Sequence, residues 1–348
     1  MREKAVRAGV RLRPHVKTHK TIEGARLQLG GKTGPITVST LAEAEFFADQ
    51  EFRDITYAVP VSPSKLDRAA ALSRRIDSLN LLIDHESAFV ALEDYGRANG
   101  LRWDVFLKVD CGYHRAGVDP EADESVRLAA RIAGSELARF KGLLTHAGHS
   151  YAAASRDEVS RIAKDEIEVT GRFRERLVSS GVEVPTVSVG STPTMSVVGS
   201  LEGADEIRPG NYIFYDAFQA AIGSCDIADI GVSVLTSVIG VYPARGLMIV
   251  DAGALALSKD RGRERPDGFD YGLVCDLAGS PIDGAHLASL SQEHGEIETD
   301  EAITGRFRIG DRVRILPNHS CLAAALFDRY YLIEQGEVVG QWIPIRGW

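Results

Sequence analysis

The chain has 348 residues, 44% hydrophobic and 26% charged, with a formal net charge of −9. This is a globular composition that excludes disorder and coiled coil, and its acidic balance disfavours nucleic acid or an anionic membrane surface as a partner. No apolar run reaches the roughly 18 residues that span a bilayer, and no signal peptide opens the chain, so a cytoplasmic protein is expected. Cys111, Cys225, Cys275 and Cys321 form no CxxC pair and no disulfide framework.

The opening residues read as the last turns of a helix, with Gly9 as its C-cap. From residue 10 to about 220, apolar strands alternate with helical segments. Strands are expected over Val10–Lys17, Ile36–Val38, Ile55–Ala58, Ser78–Ile83, Trp103–Val109, Phe140–Leu144, Thr186–Val189 and Glu206–Arg208. The helices between them include Thr21–Leu29, Leu41–Asp49, Lys65–Arg74, Ser87–Asn99, Asp123–Gly134 and Arg156–Ser179. About eight βα steps without a six-strand dinucleotide-binding fingerprint favour a closed (β/α)₈ TIM barrel. The pattern then turns β-rich over Ala228–Tyr242, Gly246–Val250, Arg312–Leu316, Tyr330–Gln335 and Glu337–Val339. The expected organisation is therefore an α/β barrel domain over residues 1–222, followed by a mostly antiparallel β domain over 223–348.

Arg13-Pro14-His15-Val16-Lys17-Thr18-His19-Lys20 is the densest basic segment. Read as a strand, its period of two puts Arg13, His15, Lys17 and His19 on one face. Neighbouring cations lower a lysine pKa and make its amine nucleophilic, which suits Schiff-base chemistry; a solvated basic edge is the alternative. Gly190-Ser191-Thr192 follows a strand late in the order and could hold a phosphate, or could be an ordinary turn with an N-cap. Arg115, past another strand, could serve a carboxylate or a ring nitrogen. His146, His149 and Tyr151 follow a third strand and could orient or activate a ligand, or the histidines could be satisfied core residues. In Pro317-Asn318-His319-Ser320-Cys321, the His-x-Cys spacing puts a borderline nitrogen and a soft sulfur on one side of an extended chain, a donor pair that suits zinc. A buried cysteine beside a surface histidine is the plainer reading of that pair. His294 marks a further polar cluster.

These segments, together with Arg208–Asp216 and Ser291–Glu296, resemble the metal-dependent D-serine dehydratase and D-threonine aldolase family of pyridoxal-phosphate (PLP) enzymes, whose fold is alanine-racemase-like. The resemblance implies that Lys17 carries PLP and takes the α-proton. It implies that Gly190, Ser191 and Thr192 help bind the phosphate, that Arg115 lies near the pyridine nitrogen, and that Tyr151 and Tyr212 line the cofactor pocket. His319 and Cys321 would bind the divalent metal, zinc first and manganese as another possibility. The His-x-Cys form resembles the dehydratases, and elimination of water from a small β-hydroxy D-amino acid is the implied reaction. The same parts could serve retro-aldol cleavage, with His146 or His149 as base; racemisation and a non-catalytic PLP-binding role are further alternatives. A homodimer is implied, as are a strand and a full helix ahead of Lys17, so a front shortened by a few tens of residues is expected. One departure stands out: Ala254 and Leu255 occupy positions usually written Ser-Lys.

Overall fold

The computed structural model describes residues 1–262, 264–265 and 268–348. It divides into two compact units, Met1–Gly210 with Ile345–Trp348, and Asn211–Pro344. The division precedes the expected 222/223 boundary and returns the last four residues to the first unit. There the Ile345 N–H donates to the Lys20 carbonyl at 2.9 Å, and the Lys65 ammonium lies 4.0 Å from the Trp348 ring centroid.

The first unit is an eight-stranded parallel sheet: β1 (Arg11–Leu12), β2 (Ile36–Val38), β3 (Asp54–Pro60), β4 (Ser78–Ile83), β5 (Trp103–Lys108), β6 (Ala138–Leu144), β7 (Val187–Val189) and β8 (Glu206–Ile207). The strand order is β1-β8-β7-β6-β5-β4-β3-β2. Its ends meet at a single parallel bridge between His15 and Thr37, which curls the sheet into the expected barrel. Continuous apolar runs such as Leu81–Ile83 and Val105–Leu107 are buried on both faces, as parallel strands covered by helices require. Thr21, Thr40 and Ser155 start the helices Ile22–Gln28, Leu41–Ala48 and Arg156–Ser179 by accepting an N–H from the first turn. Gly9 caps the opening helix Arg2–Ala8 in the left-handed region, at φ 67°.

The expected strand over Val10–Lys17 is corrected. Its regular strand is only Arg11–Leu12, although the Arg13 and His15 N–H groups still donate to the Ile207 and Pro209 carbonyls at 2.9 and 3.0 Å. The chain then touches β2 only at the seam, where the Val16 N–H donates to the Thr37 carbonyl at 2.9 Å, and turns as the Lys20 N–H donates to the Val16 carbonyl at 2.8 Å. Arg13, His15, Lys17 and His19 therefore do not share a strand face. Arg13, 3% exposed, gives its Nε to Glu206 Oε2 at 2.8 Å and a two-pronged contact to Asp54 at 2.7 and 2.9 Å. Arg13→Ala would leave Glu206 buried without that partner, and the expected loss is about 3–5 kcal/mol in a denaturant titration.

The second unit is built on a closed six-stranded antiparallel barrel. Its strands are β9 (Val234–Tyr242), β10 (Leu247–Val250), β13 (Gly272–Cys275), β14 (Pro281–Leu290), β15 (Gly295–Glu298) and β16 (Arg312–Pro317), in the order β10-β15-β14-β13-β16-β9. Two short strands, β11 (Glu264–Arg265) and β12 (Gly268–Phe269), pair with each other, as do β17 (Tyr330–Glu334) and β18 (Glu337–Trp342). Val238, Met248, Leu287, Ile297, Val313 and Ile315 fill the barrel. The expected Ala228 start moves to Val234, because Ile227–Asp229 form a turn of 3₁₀ helix. Ala254 and Leu255 lie in the short helix Ala254–Leu257, with Leu255 exposed.

Candidate active site

Lys17 stands in the turn just past the barrel seam, half-buried. Its N–H donates to His15 Nδ1 at 3.4 Å. The turn is fixed on both sides. Fully buried His19 contacts Gln28 Oε1 at 3.1 Å, the Gln28 amide donates to the Gly210 carbonyl at 3.4 Å, and the Lys20 ammonium pairs with Glu43 at 3.0 Å. Burial holds the His19 imidazole neutral, at about 4. Gly210 is required where it stands, since a Cβ would collide with the backbone of His15.

Residues from the ends of three other strands, β5, β6 and β8, gather around this turn. His146 is pushed well below the ordinary imidazole value by burial, then by the positive charges of Lys17, Lys108, Arg115 and Arg208. His15 is lowered in the same way by burial, Lys17, His146 and Arg208. Lys108, at the end of β5, is pushed down to about 8 by burial, and its ammonium donates to the Val109 carbonyl at 3.1 Å. Arg208, immediately after β8, is 5% exposed and is lowered to about 10 by burial. Its guanidinium donates to Ser188 Oγ at 2.6 Å and to the Thr145 carbonyl, while Ser188 Oγ donates to Glu206 Oε1 at 2.6 Å.

The loops carry the other expected residues. Arg115 is exposed, its guanidinium 4.8 Å from the Tyr113 ring centroid. Tyr113 stacks on His149, whose buried Nδ1 has no hydrogen-bond partner among the described residues. The Tyr151 ring centroid lies 6.5 Å from that of His146. Gly190 turns the chain at φ 106°. Ser191 caps the helix Thr192–Val197 through a reciprocal pair with Thr194, and its hydroxyl also meets Ser150 Oγ at 2.9 Å. Thr192 Oγ1 accepts the Gly210 N–H at 3.2 Å. Tyr212 belongs to the second unit, in the single turn Asn211–Ile213.

In the second unit, His319 and Cys321 follow β16. Their side chains hydrogen-bond to each other, and His319 Nδ1 contacts Asp260 Oδ2 at 2.8 Å, which leaves Nε2 for the sulfur side. Burial works against the imidazolium, but the bond and charge of Cys321, then Asp216 and Asp260, raise it to about 9. Asp216 Oδ2 accepts from the Ser320 N–H at 3.0 Å and from the Asn211 amide at 2.7 Å, which fixes the loop between the two donors. His294 lies exposed in the turn between β14 and β15, its carbonyl accepting the Ser291 N–H at 2.9 Å.

Sequence reasoning passed over Arg208, Lys108, Glu166 and Asp260 as individual site residues. Lys108 and Arg208 carried a usable signal, since both stand at strand ends like the residues singled out. Glu166 and Asp260 carried none.

Both sets of residues fit the expected groups. Four cations acting on one buried histidine, with an orphaned His149 nitrogen nearby in sequence, suit an anionic cofactor. An imidazole backed by a carboxylate and joined to a thiol suits a borderline metal ion. No cluster of three or more His, Cys, Asp or Glu poised for a metal exists among the described residues.

A family profile described as "Alanine racemase, N-terminal domain" matches residues 1–217, and one described as "Putative serine dehydratase domain" matches residues 231–333. D-serine dehydratase of Dictyostelium discoideum is 38% identical over 372 residues, covering 100% of this chain and 93% of that protein. The chain belongs to the alanine-racemase-like PLP enzymes of the D-serine dehydratase family. Within this PLP family, D-threo-3-hydroxyaspartate dehydratase of Delftia sp. (strain HT23) is 39% identical over 355 residues, covering 100% of this chain and 93% of that one. Its solved structure matches with a TM-score of 0.93 at 38% identity, over 100% of this chain and 93% of that chain. A Cys-to-Ala variant of that enzyme, solved in a metal-free form, matches at 0.92 with the same identity and coverage.

Proposed function

We propose that this PLP enzyme is a lyase that eliminates water from a β-hydroxy D-amino acid, D-serine or D-3-hydroxyaspartate, to give a 2-oxo acid and ammonia. The observation that carries the choice is the His319–Cys321 pair with Asp260 behind the imidazole. Racemisation has no use for such a donor pair, whereas loss of a hydroxyl group does, because hydroxide is a poor leaving group. The likeness to two dehydratases over the whole chain supports the same choice.

Lys17 would hold the cofactor covalently, and its amine would serve as the base for the Cα proton. The turn Gly190–Thr192 would receive the phosphate, with Tyr151 lining the cofactor pocket. Arg208 and Arg115 would supply positive charge toward the ring and the carboxylates. PLP, when bound, supplies an electron sink for the charge that develops at Cα. His15 and His146, kept neutral beside Lys17, leave its proton free to move without adding like charge. His319 Nε2 and Cys321 Sγ would hold zinc, which supplies a Lewis acid for the departing β-oxygen. His146 and His149 remain the candidates for a second acid or base.

Ammonia release tests the reading. D-serine should yield ammonia, whereas L-serine and D-alanine, the latter without a β-hydroxyl, should yield none. Equal turnover of D-alanine would contradict it.

A further inference from the structure

We propose that Glu166 is a positioning residue that locks two active-site loops in register for the cofactor, an inference that rests on the PLP reading above. Glu166 sits in the middle of the long helix Arg156–Ser179, 0% exposed, where a polar-faced helix ordinarily keeps its glutamates in water. One of its oxygens, Oε1, accepts three hydrogen bonds: from Thr145 Oγ1 at 2.7 Å, from the Ala147 N–H at 3.1 Å and from the Gly190 N–H at 3.1 Å. Thr145 and Ala147 flank His146, and Gly190 opens the turn to Ser191 and Thr192. The loop after β6 and the turn after β7 are thus pinned to one atom of a helix that packs behind them.

Three donors converge on this one oxygen at full burial, a load that an acceptor-only carboxylate oxygen can take. The carboxylate also supplies negative charge to a cationic neighbourhood, since it acts on both Lys108 and Arg208. Thr145 joins the two devices: its hydroxyl donates to Glu166 while its carbonyl accepts from Arg208. Without the carboxylate, two buried loop N–H groups would lose the acceptor that holds them.

The test uses PLP-loaded Glu166→Gln and Glu166→Ala. Glu166→Gln keeps one acceptor oxygen and removes the charge. It should show a wild-type far-UV circular dichroism spectrum, weaken PLP binding about 10-fold and lower kcat about 10-fold, with KM within about twofold. Glu166→Ala should go further, to about 100-fold in PLP affinity, and its bound PLP should have an altered visible circular dichroism band. Should Glu166→Ala fail to fold, Glu166→Gln decides alone. A folded Glu166→Gln with wild-type PLP affinity and kcat, even with a lowered melting temperature, would overturn the proposal and leave Glu166 as a merely structural carboxylate. Wild-type protein that binds no PLP would instead overturn the reading beneath it.

Discussion

Lys17→Ala should abolish covalent PLP binding and lower kcat by about 10³-fold or more, since the same amine is assigned both the attachment and the proton transfer. Borohydride reduction of the wild-type holoenzyme, followed by peptide mass analysis, should place the cofactor mass on the peptide containing Lys17. Lys108 is the informative control. It is buried, lowered to about 8, and lies close enough to act on the same histidine. Its ammonium is engaged by the Val109 carbonyl, whereas Lys17 stands in a turn fixed by His19, Lys20 and the seam to β2. Lys108→Ala should therefore keep the covalent label. A label found on Lys108 would contradict the assignment.

Removing the metal should have the second large effect. His319→Ala, Cys321→Ala, or exhaustive chelation should lower ammonia release from D-serine by about 10²- to 10⁴-fold, the range set by several kcal/mol of leaving-group stabilisation. PLP binding should survive, because the residues assigned to it are different ones. Elemental analysis should find zinc in the wild type and not in either variant. Asp260→Ala should weaken zinc binding about 10- to 100-fold rather than abolish it, as loss of a carboxylate behind a ligating imidazole does. Full dehydratase activity in zinc-free protein would sink the metal assignment while leaving the PLP chemistry standing.

The barrel was legible because a βα repeat writes itself locally: short apolar strands alternate with helices, as at Ile36–Val38 and the Thr40-capped helix Leu41–Ala48. The seam was not. The segment from Val10 to Lys17 has strand composition, but the register at Pro14 and the single contact of His15 with Thr37 depend on where the opposite edge of the sheet arrives. That error placed Lys17 on a strand, whereas it stands in a turn together with His19. The C-terminal strands β13 to β15 were missed because Gly272–Glu298 carries glycines, aspartates and two histidines that disguise the alternation. Of the residues proposed for the site, Arg115 and His146 were singled out by their position after strands, and His319 with Cys321 by spacing. Glu166 and Asp260 were not, because their partners lie 19 to 24 and 59 residues away in the chain, and nothing local marks a glutamate in a polar helix as buried.

The most direct test of the central claim is the carbon product formed from D-serine and from D-threo-3-hydroxyaspartate by the PLP- and zinc-loaded enzyme. Elimination of water predicts a 2-oxo acid with one equivalent of ammonia and no glycine. Glycine accompanied by an aldehyde, with no ammonia, would contradict the dehydratase reading and assign the same residues to retro-aldol cleavage.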